Sequence, residues 1–165
     1  MRTICYDCEF IEDGSTIDLI SIGAVDKSGS EFYAICDSFD QSRSSDWVRT
    51  NVLAKLPPRT DPAWMSRIQL RDRLHIWLTQ NGPIELWADY GAYDHVALAQ
   101  LWGTMMDLPA GVPMFTHELM QYWESVGRPA KPEQIDEHDA LADARHGMAI
   151  WKLCRGVELN ATTSL

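Results

Sequence analysis

Two acidic residues near the start of the chain, Asp7 and Glu9, lie at the end of the apolar run Ile4-Cys5-Tyr6-Asp7-Cys8-Glu9-Phe10. The alternation in that run reads as a strand entering a core. Side chains two apart on a strand share a face, so these two carboxylates stand side by side and repel. A fold rarely keeps such a pair beside a core unless a proton or a cation compensates. Hard divalent cations, which take oxygen ligands, are the simplest compensation. A site of that kind needs further carboxylates from distant parts of the chain.

Two later stretches supply them. The apolar run Ile84-Glu85-Leu86-Trp87-Ala88 reads as a strand ending at Asp89, and Asp94 follows just inside the next helix. Ends of sheet strands are where α/β sites form. Asp94 is the preferred ligand, because Gly91 and Ala92 let the helix start approach an ion closely. Asp89 is then a supporting group or a helix cap, and His95 a packing or surface residue. The second stretch is His138-Asp139-Ala140-Leu141-Ala142-Asp143. Five residues on a helix turn about 500°, which would leave His138 and Asp143 about 140° apart. They converge more easily if His138 precedes the helix and Asp139 caps it. Asp143 is then a ligand, and His138 a mobile base above it.

The elements that must position these groups follow from the pattern. Residues 19–25 and 31–36 read as a second and third strand, joined by short polar turns that call for antiparallel pairing. Trp47, Val48, Val52, Leu53 and Leu56 recur at helical spacing and stop at Pro57-Pro58. Asp61-Pro62 reads as the opening of a helix ending near Gly82. After the fourth strand, Val96, Leu98, Leu101 and Trp102 mark another helix. A short fifth strand is expected at Met114-Phe115, then a helix capped by Thr116 and ending at Gly127. A proline-containing loop, 128–137, leads to a last helix over 139–155. Three antiparallel strands followed by strand–helix alternation give an α/β fold with a mixed five-stranded sheet and helices on both faces.

With 165 residues, 45% of them hydrophobic, the chain suits one domain, residues 1–156, followed by a polar, fraying tail, 157–165. No apolar run reaches the ~18 residues of a transmembrane helix, and the N-terminus enters a strand with no signal-peptide pattern. A cytoplasmic location is the expectation. Cys5 and Cys8 have the spacing of a metal pair, but positions three apart on a strand face opposite ways. Buried free thiols suit all four cysteines better. The net charge of −10 argues against a nucleic-acid partner. Residues 43–73 soften that objection, holding seven of the 14 basic residues (Arg43, Arg49, Lys55, Arg59, Arg67, Arg71 and Arg73) against three aspartates. Such a segment suits a short single-stranded end, with Trp47 and Trp64 available to stack on a base. It equally suits two solvated helices.

The full set, Asp7, Glu9, Asp94 and Asp143 with His138 five residues before the last, resembles the four-carboxylate-plus-histidine (DEDDh) exonucleases of the RNase H-like superfamily. Within it the chain is most similar to the RNase AS family of adenylate-specific 3′-exoribonucleases. The resemblance runs through Asp7-Cys8-Glu9-Phe10-Ile11-Glu12-Asp13-Gly14, Asp18-Leu19-Ile20-Ser21-Ile22-Gly23, Trp47-Val48-Arg49-Thr50, Leu56-Pro57-Pro58, Gly91-Ala92-Tyr93-Asp94-His95-Val96-Ala97-Leu98 and His138 to Arg145. It departs at Asp89-Tyr90, where many superfamily members carry His-Asn. The resemblance implies an RNase H-like fold and two Mg²⁺ ions, or Mn²⁺, on Asp7, Glu9, Asp94 and Asp143. It also implies His138 as general base, a single-stranded RNA 3′ end as substrate, 5′-mononucleotide products and a homodimer. A DNA 3′-exonuclease would share the same five residues. A non-catalytic oligonucleotide-binding dimer is a further alternative, although binding alone needs no general base.

Overall fold

The computed structural model describes residues 1–163. Three long strands, β1 (Arg2–Glu12), β2 (Ile17–Asp26) and β3 (Glu31–Cys36), pair antiparallel in sequence order. After the short helix α1 (Asp46–Asn51), the two-residue strand β4 (Trp64–Met65) adds parallel to β3. Helix α2 (Arg67–Thr79) crosses to β5 (Ile84–Ala88), which lies parallel to β1. Helix α3 (Ala92–Ala99) leads to a second two-residue strand, β6 (His117–Glu118), parallel to β5. The helices α4 (Leu119–Ser125) and α5 (Ala140–Thr163) complete the chain. The sheet therefore has six strands, not five, in the order β4-β3-β2-β1-β5-β6.

Alternation along β1 sends its two sets of side chains into different layers. Ile4, Tyr6 and Cys8 pack with Leu70, Leu74 and Leu78 of α2 and with Ala97 and Leu98 of α3. Cys5 faces the other way, into a layer with Leu119, Ala144, Met148, Trp151 and Cys154 from α4 and α5. Helices thus cover both faces, and each buried leucine contributes roughly 1.5–3 kcal/mol. Asp7 and Glu9 share the parity of Cys5, so they face α5. The four cysteines are buried free thiols.

Several local expectations give way to stronger competing contacts. The helix expected from Asp61 starts at Arg67 instead. Ser66 and Gln69 form a reciprocal capping box, while the Asp61 carboxylate turns back onto the Ala63 amide and frees the next residues to pair as β4. The short strand expected at Met114-Phe115 forms at His117–Glu118. Thr116 does not cap α4, because its hydroxyl is engaged by Tyr6 and by His95 Nδ1; Glu118 caps that helix through the Met120 amide. The helix expected over 47–56 breaks after Asn51 into a 3₁₀ turn, Leu53–Lys55. The expected fraying tail from Gly156 is helical to Thr163, where Glu158 takes bonds from the Tyr122 hydroxyl and Arg155. Residues 164 and 165 of that tail lie outside the described residues. No helix among the described residues is long and apolar enough to cross a membrane.

Candidate active site

Strand β1 carries the site because its outer edge is only half covered. Pairing with β5 stops at Cys5↔Trp87, so beyond that point the β1 edge has no strand neighbour. The backbone amide of Cys8 instead donates to Asp94 Oδ1 at 2.7 Å. That bond ties the first turn of α3 to β1 midway between Asp7 and Glu9, with Asp94 only 5% exposed. Gly91 makes the approach possible: a Cβ there would stand 2.9 Å from Ala88 Cβ and 3.1 Å from Thr116 Cγ2. The Glu118 carboxylate holds the same turn from outside, accepting from the Tyr90 and Gly91 amides at 3.1 Å each. Sequence reading passed over Glu118, and its only signal is an acid beside a helix start.

Helix α5 reaches the site through a second glycine. Gly23 pairs with Asp7 across the β1–β2 ladder, and a Cβ on it would lie 2.3 Å from the Ala140 carbonyl oxygen. Only glycine lets the first turn of α5 rest directly on the sheet opposite Asp7. Asp139 caps that turn through the Ala142 amide at 2.9 Å. His138 precedes the helix in the left-handed region, φ 65°. Its amide donates to Asp143 Oδ2 at 2.8 Å, and its ring meets Trp47 edge-on at 4.7 Å. Beside Glu9 the ladder carries a bulge, with the register slipping by one between Glu9 and Phe10. Bulges of this kind re-aim side chains next to active sites.

The structure brings Glu9, His138 and Asp143 together, with one ligand atom of each within 4.8 Å of the other two. Asp7 lies outside that triplet but shares with Asp143 a cleft of about 200 Å³, also lined by Tyr6, Trp87, Asp89, Gln134 and His146. The carboxylates sense one another strongly. Burial, then the charges of Asp94, Glu9 and Asp143, pushes Asp7 well above the ordinary carboxylate range. Glu9 rises to about 7 for the same reasons, burial first and then Asp143 and Asp94, against a weaker pull from Lys55. Asp94 also rises to about 7, burial outweighing the bond from the Cys8 amide. Asp143 and Asp89 are raised too, mainly by burial. Asp89 Oδ1 is buried without a hydrogen-bond partner. Burial and mutual repulsion outweigh the pull of Lys55 on Glu9, Lys131 on Asp89 and His138 on Asp143, so all five acids stay raised, and the donors of the cluster are mostly carboxylate oxygen. The residues present therefore fit hard divalent cations.

The 3′-5′ exoribonuclease Rv2179c-like domain family matches residues 2–155 of the chain. The chain belongs to this family. It is 54% identical over 151 residues to 3′-5′ exoribonuclease Rv2179c of Mycobacterium tuberculosis H37Rv, covering 90% of each chain. The same figures hold for 3′-5′ exoribonuclease MT2234.1 of M. tuberculosis CDC 1551. Among solved structures it resembles the Neurospora crassa Pan2 catalytic unit, which comprises a protease and a nuclease domain, with a TM-score of 0.58. Identity there is 15%, and the match spans 98% of this chain but 28% of the Pan2 chain, so that likeness concerns the fold alone. It agrees with an RNase H-like arrangement.

Proposed function

We propose that the protein is a 3′–5′ exoribonuclease of the DEDDh, RNase AS type. It removes 5′-mononucleotides from the 3′ end of single-stranded, adenylate-containing RNA. The observation that carries this reading is the set of mutually repelling carboxylates, Asp94 buried and Asp7, Glu9 and Asp143 half-buried, gathered around β1 from three separate elements. Asp7, Glu9, Asp94 and Asp143 would hold two Mg²⁺ or Mn²⁺ ions. When bound, such ions activate a water and stabilise the leaving 3′-oxygen of an in-line displacement.

The chain's own residues do the rest. His138 accepts the proton of the attacking water, since a histidine can take a proton near neutral pH. Its contact with Trp47 and its left-handed backbone hold the ring over Glu9 and Asp143. Trp47, 54% exposed, also offers a face on which a terminal base can stack. Arg49 and Lys55 lie in the same basic segment and suit the phosphates of a short strand. Preference for adenine and a homodimeric state are carried over from the family resemblance.

The test is incubation of the protein and Mg²⁺ with 5′-labelled oligoadenylate, the other three homopolymers and matched DNA. A ladder shortening from the 3′ end with release of 5′-AMP, fastest on oligoadenylate, is the expected result. Equal cleavage of DNA would instead identify a general 3′-exonuclease. Binding without cleavage would identify an oligonucleotide-binding protein.

A further inference from the structure

Asp143 is gripped on both oxygens by one loop. Gln134 Nε2 donates to Oδ1 at 2.7 Å, and the His138 amide donates to Oδ2 at 2.8 Å. A carboxylate has about four lone-pair sites, so each oxygen keeps free capacity. One of those oxygens lies within 4.8 Å of a ligand atom of Glu9 and of His138. Aspartate's terminal torsion is otherwise broad, so two fixed donors set the plane of this carboxylate. The donor role of Gln134 is settled by chemistry, because an ionised carboxylate only accepts.

The loop that presents Gln134 has an unusual build. Arg128, Asp136 and His138 are left-handed non-glycine residues, φ 55°, 58° and 65°. Between them the segment is pinned largely by side chains. Trp123 Nε1 donates to the Pro129 carbonyl at 2.7 Å, His146 Nε2 lies 3.0 Å from the Pro132 carbonyl, and Lys131 sits over the Trp123 ring. The Gln134–Asp143 bond is the pin that reaches the candidate metal ligands, in a residue that is half-buried.

We infer that Gln134 is a positioning residue for metal capture. Its side-chain amide fixes the Asp143 carboxylate in the orientation that serves the ions, so the loop and the metal site are set together. This rests on the metal-dependent reading given above. Partners of this kind around metal ligands are worth about 10–100-fold in metal affinity or activity.

The test uses the full chain and Mn²⁺ alone, without RNA, in a calorimetric titration of wild type, Asp143→Asn, Gln134→Ala and Gln134→Met. Methionine keeps the length of glutamine without its donor. Wild type should bind Mn²⁺ and Asp143→Asn should bind it much more weakly. Both Gln134 variants should weaken binding about ten-fold with circular-dichroism melts close to wild type. In RNA hydrolysis, the half-saturating Mn²⁺ concentration should rise by the same factor, and the deficit should shrink as Mn²⁺ is raised. Gln134→Met binding as tightly as wild type overturns the inference and leaves the metal site standing. A wild-type protein that binds no Mn²⁺ overturns both.

Discussion

Gly23→Ala tests the geometry of the site without touching any reacting group. The new Cβ would lie 2.3 Å from the Ala140 oxygen and 2.4 Å from both the Ala140 carbonyl carbon and Leu141 Cα. Carbon contacts are comfortable near ~3.5 Å, so the first turn of α5 must retreat by roughly 1 Å. The contacts are backbone, so no side-chain rotation relieves them. The helix cannot simply slide, because its own Ala144, Met148 and Trp151 are packed in one buried layer with Cys5, Val25 and Leu119, and Arg145 makes a two-pronged bond to Glu31 of β3. Overpacking of this kind costs about 1–3 kcal/mol, or about 2–12 °C in melting temperature for a chain of this size. Asp143 and His138 move with the turn, and a ~1 Å misplacement at a reacting centre can cost about 100-fold in rate.

The assay is exonuclease rate against Mg²⁺ concentration, paired with thermal melting. Gly156→Ala serves as the control on the same helix, because a Cβ there meets nothing within 4 Å. It should add about 0.5–1 kcal/mol of stability and leave the rate alone. Gly23→Ala should lose rate out of proportion to its lost stability, with a raised Mg²⁺ requirement. A Gly23→Ala protein with wild-type rate and metal requirement would falsify the claim that close seating of α5 on β2 builds the site.

Three further outcomes follow from the cluster. Asp7→Asn should abolish hydrolysis yet raise the melting temperature of the metal-free protein, since it removes a carboxyl whose ionisation burial and the neighbouring acids oppose; a lower melting temperature contradicts this. His138→Ala should reduce turnover by about 10²–10⁴-fold while calorimetric Mn²⁺ binding stays within a few-fold of wild type, and an unchanged rate removes its role as base. The metal-free protein should lose stability as pH rises. Glu9 and Asp94, both raised to about 7, hold more protons when folded than when unfolded. Their contribution is full below the unfolded values near ~4 and is lost as pH climbs through about 7. At about 1.4 kcal/mol per pH unit, Glu9 alone predicts a loss of roughly 3 kcal/mol from pH 5 to pH 8. Denaturant melts at saturating Mg²⁺ should flatten that slope, and a slope that persists with the ion refutes the linkage.

Strand periodicity made most of this fold legible. The parity of β1 put Asp7 and Glu9 on one face, and the small residues before Asp94 announced a close helix approach. The placement of His138 ahead of α5, with Asp139 capping, followed from counting degrees of turn. What stayed hidden has a common physical cause. Strands β4 and β6 are two residues long, too short for any alternation to register. Glu118 and Gln134 act through bonds to groups 27 and 9 residues away, and a single polar residue in a loop carries no periodic signal. The capping box at Ser66 and Gln69 was readable, but the proline at 62 offered a competing helix start.

Gly23 shows where sequence and site meet most closely. A glycine inside an otherwise branched and apolar strand weakens that strand, so its presence asks for a compensating reason. Here the reason sits on the opposite side of the ladder. Asp7 is the residue paired with Gly23, and the helix carrying Asp143 lands on the space the missing side chain leaves. The same device recurs at Gly91, where the absent Cβ lets the turn bearing Asp94 close on Ala88. Two of the four acids therefore reach the first pair through backbone approaches that any side chain would block. Stability is given up twice in this way, once in the glycines and once in the crowded carboxyls, whose ionisation the fold opposes. Both concessions converge on β1, where the proposed cations would offset the second of them.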